Sequence, residues 1–253
     1  MKNILSKFQI DFWTYILLFF ALFAGYIKVV FIIFLIVFIH ELGHIFFLML
    51  FHISIEKVKI YPFGGLTIIN KRLHERIYKD IIVGFGGIIF QIVLYVIVFF
   101  LFKNGLILES TYLIFVKYNK MLILFNLLPI IPLDGSKIIN AFLNLFISFK
   151  TSYFVTILVS VGTLICFIIF NFIFRINDMV IYLFFLFQLI QVIKEFKLVM
   201  NKFYLERVLY NHYYNRIINK CSDLDRLRID KYYYFFDNRR YINEKDYIRK
   251  RLF

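Results

Sequence analysis

The chain has 253 residues, of which 62% are hydrophobic and 21% aromatic, and its mean hydropathy is +0.78. Because soluble domains are nearer half apolar, this composition excludes an ordinary soluble protein and favours a helical integral membrane protein. The net charge of +14 does not indicate nucleic acid as a partner, since the basic residues flank apolar segments and no groove-reading motif accompanies them. Cys166 and Cys221 do not suggest a disulfide framework.

Six apolar stretches approach the roughly 20 residues that a helix needs to cross a bilayer. They cover residues 12–27, 29–51, 80–102, 112–133, 152–174 and 178–194. Between the second and third stretches, residues 61–69 combine β-forming side chains with a Gly-Gly turn, which predicts a small β-hairpin. The predicted fold class is an all-α polytopic membrane protein with about six transmembrane helices, this hairpin and a short cytoplasmic tail.

The basic residues predict the orientation in the membrane. With six spans, one side receives both termini and 25 of the 30 Lys and Arg residues, 15 of them in residues 194–253. Since cytoplasmic loops carry the excess of basic residues, we expect both termini in the cytoplasm. We divide the chain into a transmembrane domain, residues 1–194, and a basic, aromatic-rich tail, residues 195–253. The tail either lies on the membrane and stabilises the protein or has a regulatory or substrate-docking role.

The second apolar stretch contains His40, Glu41 and His44 in the pattern HExxH. Residues four apart share one face of a helix, so the two histidines can bind one metal ion, and Glu41 can act as a general base toward water. HExxH also occurs by chance. Inside a membrane span, however, ionisable residues are expensive and therefore indicate function. A transmembrane metalloprotease domain in residues 1–194 is the interpretation that this pattern favours.

A third metal ligand is expected at the same depth, and Asp134 is the strongest candidate. The preceding segment contains Pro129 and Pro132, which prevent a regular helix and can swing Asp134 inward. The alternative is an ordinary helix exit capped by Asp-Gly. Asn126 is interpreted as a polar contact to substrate or to the catalytic water, or else as an interhelical hydrogen bond.

These two motifs together resemble the site-2 protease family of intramembrane zinc metalloproteases, over residues 29–140. The six spans and the Pro-Phe-Gly-Gly segment are most similar to the stage IV sporulation protein FB group. The resemblance implies one Zn²⁺ per chain, held by His40, His44 and Asp134, with Glu41 catalytic and Asn126 assisting. It also implies a multi-pass protein of the bacterial cell membrane that hydrolyses peptide bonds in membrane-associated proteins, including precursors of sporulation sigma factors.

Substrate binding is predicted at Phe63, Gly64, Gly65 and Leu66. A strand edge there could pair with an extended substrate backbone, and glycines permit close approach; a plain hairpin turn is the alternative. The expected partners are a membrane-associated protein substrate, the lipid bilayer, a membrane-embedded inhibitor or regulator, and a second copy in a homo-oligomer.

Two other functions remain open at this point. The same ligands could serve a membrane zinc transporter, in which His and Asp side chains line an ion path. Alternatively, the chain could be an inactive membrane scaffold that has kept the motif. A transporter does not require Glu41 beside the first histidine, so the motif favours the zinc endopeptidase.

Overall fold

The computed structural model of the chain describes residues 8–10, 19, 23–61, 64–70, 76–170, 176–210, 216–221, 223–237 and 240–252. The helices in these residues are α1 (Ile27–Leu50), α2 (Ile77–Lys103), α3 (Glu109–Leu127), α4 (Asp134–Asn144), α5 (Phe149–Phe170), α6 (Ile176–Leu209) and α7 (Glu244–Leu252). The strands are β1 (Phe8–Ile10), β2 (Ser54–Tyr61), β3 (Gly64–Asn70), β4 (Arg216–Cys221), β5 (Lys231–Asp237) and β6 (Arg240–Asn243). The protein is therefore mostly helical, as predicted.

In the part of the chain that the structure describes, three helical segments are long and apolar enough to cross a membrane: α1, α2 and residues Phe149–Ile169 of α5. They coincide with the predicted spans 29–51, 80–102 and 152–174. The predicted span 12–27 lies largely outside the described residues. The spans 112–133 and 178–194 fall on α3 and α6, although α3 ends at Leu127. The number of spans stays a prediction.

The chain divides into two compact units. The first comprises Met1–Lys71 and Ile82–Asn126, and in it α1 packs closely against α2. Gly43 of α1 and Gly86 of α2 make this possible, since a Cβ on Gly43 would lie 2.3 Å from the carbonyl oxygen of Gly86. Small residues at a helix crossing allow the backbones to approach, which is typical of helices packed in membranes.

The first unit also contains a three-stranded sheet with the order β1-β2-β3, in which β1 precedes α1 and the other two strands follow it. Strands β2 and β3 are antiparallel and adjacent in sequence, with Tyr61 opposite Gly64, whereas β1 pairs parallel to β2 from Phe8 opposite Val58. Ile53 and Ile55, at the start of β2, are buried against Leu48 of α1. Among the described strands, β3 pairs only with β2, so its other edge has no strand partner among them; helix α1 also contacts β3.

The second unit comprises Arg72–Ile81 and Leu127–Phe253. It contains the irregular segment before α4, in which the Ile131–Pro132 peptide is cis. This segment is tied to α5 by the Ile131 amide, which donates a hydrogen bond of 3.3 Å to the hydroxyl of Ser160. Proline has no amide hydrogen and disfavours a helix before it, so the break between α3 and α4 follows from the sequence.

The tail folds into a second small sheet, with the order β4-β5-β6, and helix α7 packs against β5. Tyr233 and Phe235 are buried on one face of β5. The buried guanidinium of Arg207, near the end of α6, pairs with the carboxylate of Glu244, with 2.9 Å between Nη2 and Oε2. An all-α protein with a single hairpin was predicted, so this second sheet was missed. Helix α6 runs through the predicted domain boundary at 194/195, which stays a prediction.

Candidate metal centre

Helix α1 places His40, Glu41 and His44 within an apolar span, and all three side chains are buried, with 4%, 6% and 8% of their surfaces exposed. The helical repeat brings the two imidazole rings onto one face, where the Nε2 atoms lie 3.1 Å apart. The predicted pairing of the two histidines is therefore formed in the structure.

The tautomer of each ring follows from its Nδ1 partner. His44 Nδ1 lies 2.8 Å from the carbonyl oxygen of Val83, which can only accept a hydrogen bond, so the proton is on Nδ1. His40 Nδ1 lies 3.2 Å from Oε1 of Gln91, which gives the same assignment. In the neutral rings, both Nε2 atoms then carry a lone pair, and these two atoms face each other.

Two lone pairs that face each other at this distance repel unless a cation lies between them. In a tetrahedral zinc site with Zn–N bonds of about 2.0–2.1 Å, two ligand nitrogens are about 3.3 Å apart. The observed 3.1 Å is close to that value. Histidine ligands of zinc also commonly donate their other ring proton to a carbonyl or amide oxygen, as both do here. The donor set therefore fits zinc.

Helix α2 leaves space for the His40 ring at Gly87. A Cβ built there would lie 2.3 to 2.6 Å from three atoms of the imidazole, closer than side chains tolerate. Hydrogen is the only substituent that fits against the ring in this position.

We expect Gly87→Ala to displace the His40 ring and to weaken zinc binding at least tenfold, because losing the ordered position of a ligand affects affinity by about 10–100-fold. Zinc affinity in detergent, measured by competition with a chelator, tests this. Gly162→Ala is the matched control, since a Cβ at Gly162 in α5 meets nothing within 4 Å. Equal zinc affinity in the two variants would contradict the assigned packing.

Asp134 begins α4 in the second unit and is 5% exposed. One carboxylate oxygen accepts a hydrogen bond of 2.9 Å from the exposed Nζ of Lys137, one helical turn later. Gly135 allows the tight turn, since a Cβ there would lie 2.3 Å from the carbonyl oxygen of Leu127. Gly135 is therefore required by the backbone path, whatever Asp134 binds.

Asp134, the predicted third ligand, belongs to the second unit, whereas His40 and His44 belong to the first, and its role as a ligand stays a prediction. Asn126 contacts His40, with its Nδ2 3.5 Å from His40 Nε2. For the predicted substrate segment, Gly64, Gly65 and Leu66 lie in β3, where the backbone alone is described, and Phe63 lies outside the described residues.

Comparison with known proteins gives consistent results. Residues 28–107, which include the HExxH motif but not Asp134, match peptidase family M50. The chain is 26% identical to stage IV sporulation protein FB of Bacillus subtilis over 237 residues, which cover 92% of this chain and 81% of that protein. The chain is thus similar to peptidase family M50 over the residues that carry the HExxH motif, and to a sporulation protein over most of its length. The resemblance inferred from the two sequence motifs is thereby confirmed.

Two further proteins are similar to this chain, one in sequence and one in fold. A zinc metalloprotease of Methanocaldococcus jannaschii is 29% identical over 119 residues, which cover 45% of this chain and 33% of that protein. The structure of a site-2 protease from the same organism has the same fold, with a TM-score of 0.57 over 76% of this chain and 92% of that one, at 21% identity. Together with the three apolar helices, these matches indicate a metalloprotease of the membrane.

Three contacts of this centre were not predicted from the sequence, namely those of Val83, Gly87 and Gln91 with the histidine rings. A backbone carbonyl such as that of Val83 leaves no sequence signal. Gln91, by contrast, is a polar side chain in the middle of the apolar stretch 80–102, and it is fully buried. Polar residues inside spans are often functional, so this signal was present in the sequence.

Proposed function

We propose that this protein is an intramembrane zinc endopeptidase that hydrolyses peptide bonds of membrane-associated protein substrates. The observation that carries the proposal is the pair of Nε2 atoms of His40 and His44, which lie 3.1 Å apart with Glu41 buried in the same helical turn. His40, His44 and Asp134 hold the metal in this proposal, and Glu41 and Asn126 take part in catalysis.

Zinc bound here would polarise the scissile carbonyl and make a water molecule more acidic. Glu41 takes a proton from that water as the new C–O bond forms, and passes it to the leaving amine nitrogen as the C–N bond breaks. Asn126, beside His40, donates a hydrogen bond to the substrate carbonyl or backbone. The apolar flanks of α1 limit the access of bulk water.

The proposed substrate class includes precursors of sporulation sigma factors. This finer assignment is supported by the likeness to stage IV sporulation protein FB, which extends over most of both chains. The proposed setting is a bacterial cell membrane, with six spans and a tail, residues 195–253, on the cytoplasmic side. A membrane-embedded regulator and a homo-oligomeric state are further parts of the proposal.

Substrate backbone is proposed to pair with the open edge of β3, at residues 64–66, next to Phe63. A peptide bond must be extended before attack, and an extended backbone in dry surroundings needs hydrogen-bond partners, since an unpaired amide there costs about 2–7 kcal/mol. An open strand edge supplies those partners in register. Support comes from β3 being paired only to β2 among the described strands.

The proposed membrane topology, with six spans, can be tested directly. In cells that express the protein, we expect a C-terminal reporter to be cytoplasmic and a cysteine in the loop after α2 to be external. Asn104→Cys, at an exposed position, provides that cysteine in a background in which Cys166 and Cys221 are replaced by Ala. A membrane-impermeant thiol reagent added to intact cells then labels position 104. Labelling that requires lysis would overturn the six-span arrangement.

The function is tested by co-expressing the protein with candidate membrane-tethered precursors and scoring a cleavage product that depends on Glu41. The purified protein is also placed in liposomes, and zinc flux is measured. Cleavage without flux supports the protease. Flux without cleavage supports a transporter, and neither activity with any precursor supports an inactive scaffold.

A further inference from the structure

Helix α2 presents two residues to the His40 ring, one helical turn apart. Gly87 lies against the ring face, where a Cβ would clash, and Gln91 places Oε1 3.2 Å from Nδ1. The Gln91 side chain is fully buried. The ring is thus confined sterically by one residue and through a hydrogen bond by the other.

The orientation of the Gln91 amide decides whether His40 can bind a metal. With Oε1 toward the ring, Nδ1 carries the proton and Nε2 keeps its lone pair. If the amide were turned by 180°, its NH₂ group would donate to Nδ1, and the proton would move to Nε2. His40 would then point an N–H group at His44, and the lone pair needed for zinc would be lost. For His44 no such choice exists, because its partner is the carbonyl oxygen of Val83.

Asn119 of α3 lies beside Gln91 and is 2% exposed. Its Nδ2 donates a hydrogen bond of 3.4 Å to the backbone oxygen of Gln91. Within the described part of the chain, Asn119 Oδ1 and Gln91 Nε2 are both buried and have no hydrogen-bond partner. One is an acceptor and the other a donor on neighbouring residues. Pairing them, directly or through one water, satisfies both and holds the Gln91 amide with Oε1 toward His40.

We propose that Gln91, oriented by Asn119, is a positioning residue that keeps His40 in its metal-binding tautomer. Gln91 does not touch substrate or metal, and it acts through the ring of His40. The inference rests on the zinc site of the proposed function. It assigns a specific effect to Gln91, which is to provide an acceptor for the Nδ1 proton and thereby a lone pair on Nε2.

Two substitutions at Gln91 distinguish the loss of its hydrogen-bond acceptor from a change in the volume of its side chain. Gln91→Leu removes the acceptor, and we expect zinc affinity to fall about 10–100-fold, the usual effect of losing a hydrogen bond to a metal ligand. Gln91→Glu keeps a side-chain oxygen that can accept the Nδ1 proton, and we expect affinity within about threefold of wild type. Asn119→Leu leaves the Gln91 amide free to turn, and we expect an intermediate loss.

Affinity is measured on the full-length protein in detergent by competition with a chelator, and Co²⁺ is substituted to record the visible spectrum of the site. We expect Gln91→Leu to alter the Co²⁺ bands and Gln91→Glu to restore them. Gln188→Leu, the same change at a half-buried position of α6, is the control for the substitution itself. Thermal unfolding of the metal-free proteins reports general destabilisation.

The outcomes distinguish this inference from the proposed function. If the wild-type protein binds no zinc, the proposed function fails. If it binds zinc and Gln91→Leu has wild-type affinity and Co²⁺ spectrum, only the role of Gln91 is wrong. A loss in Gln91→Leu that Gln91→Glu does not restore, together with lowered stability of the metal-free protein, would show that Gln91 is structural and would also overturn the inference.

Discussion

Glu41→Gln is expected to abolish cleavage while the protein retains about one zinc per chain. The amide has nearly the size of the carboxylate, so the packing around the buried side chain is preserved, but it cannot accept a proton from water. Loss of a general base lowers the rate by about 10²–10⁴-fold. The ligand nitrogens of His40 and His44 and their Nδ1 partners are untouched by the change.

Asp134→Ala is the variant with which Glu41→Gln is compared. Asp134 is proposed as a ligand, so its removal should weaken zinc binding itself, and cleavage should fall as a consequence. Zinc per chain is measured by elemental analysis after gel filtration, and cleavage is measured on a co-expressed precursor. Glu195→Gln, at an exposed position of α6, is the matched control and should behave as wild type. Wild-type cleavage by Glu41→Gln would show that the mechanism proposed here is wrong.

The sequence predicted those parts of the protein that depend on local pattern. Helix α1 and its HExxH motif could be read directly, because a long apolar stretch and a four-residue spacing leave little freedom. A hairpin within residues 61–69 was predicted from β-forming residues and a Gly-Gly turn, but in the structure Gly64 and Gly65 lie in β3 and its partner β2 covers Ser54–Tyr61. The break before Asp134 followed from Pro129 and Pro132, which no helix accommodates easily.

What the sequence could not predict is which face of each helix meets its neighbour. Helix α2 is apolar on all sides, so its hydrophobic pattern does not indicate that Gly87 and Gln91 face His40. The sheet of the tail was missed for a related reason. Its strands are short and carry charged residues among the aromatic ones, and they are stabilised by a contact distant in sequence, the buried pair of Arg207 and Glu244.

A proline on the open edge of β3 is expected to abolish cleavage without removing zinc. Successive residues of a strand direct their backbone N–H groups to opposite edges, so Gly65 and Leu66 differ in which edge they serve. These two residues stand opposite Ile60 and Lys59 of β2, respectively. One of the two N–H groups therefore belongs to the ladder with β2, and the other faces the edge where substrate is proposed to bind.

Gly65→Pro and Leu66→Pro are consequently compared as a pair. The variant that removes the outward N–H should fold normally and bind zinc like wild type, yet lose cleavage, because one hydrogen bond to the substrate backbone is gone and the proline ring obstructs the edge. The other variant removes a ladder hydrogen bond and should also lower the melting temperature. A helix-breaking residue placed near the cut site of a precursor should speed its cleavage by the wild-type protein, since less unwinding is then required.

For both proline variants, zinc content, thermal unfolding and cleavage of one precursor are measured. Wild-type cleavage rates in two stably folded proline variants would exclude strand pairing at β3 and leave the zinc assignment intact.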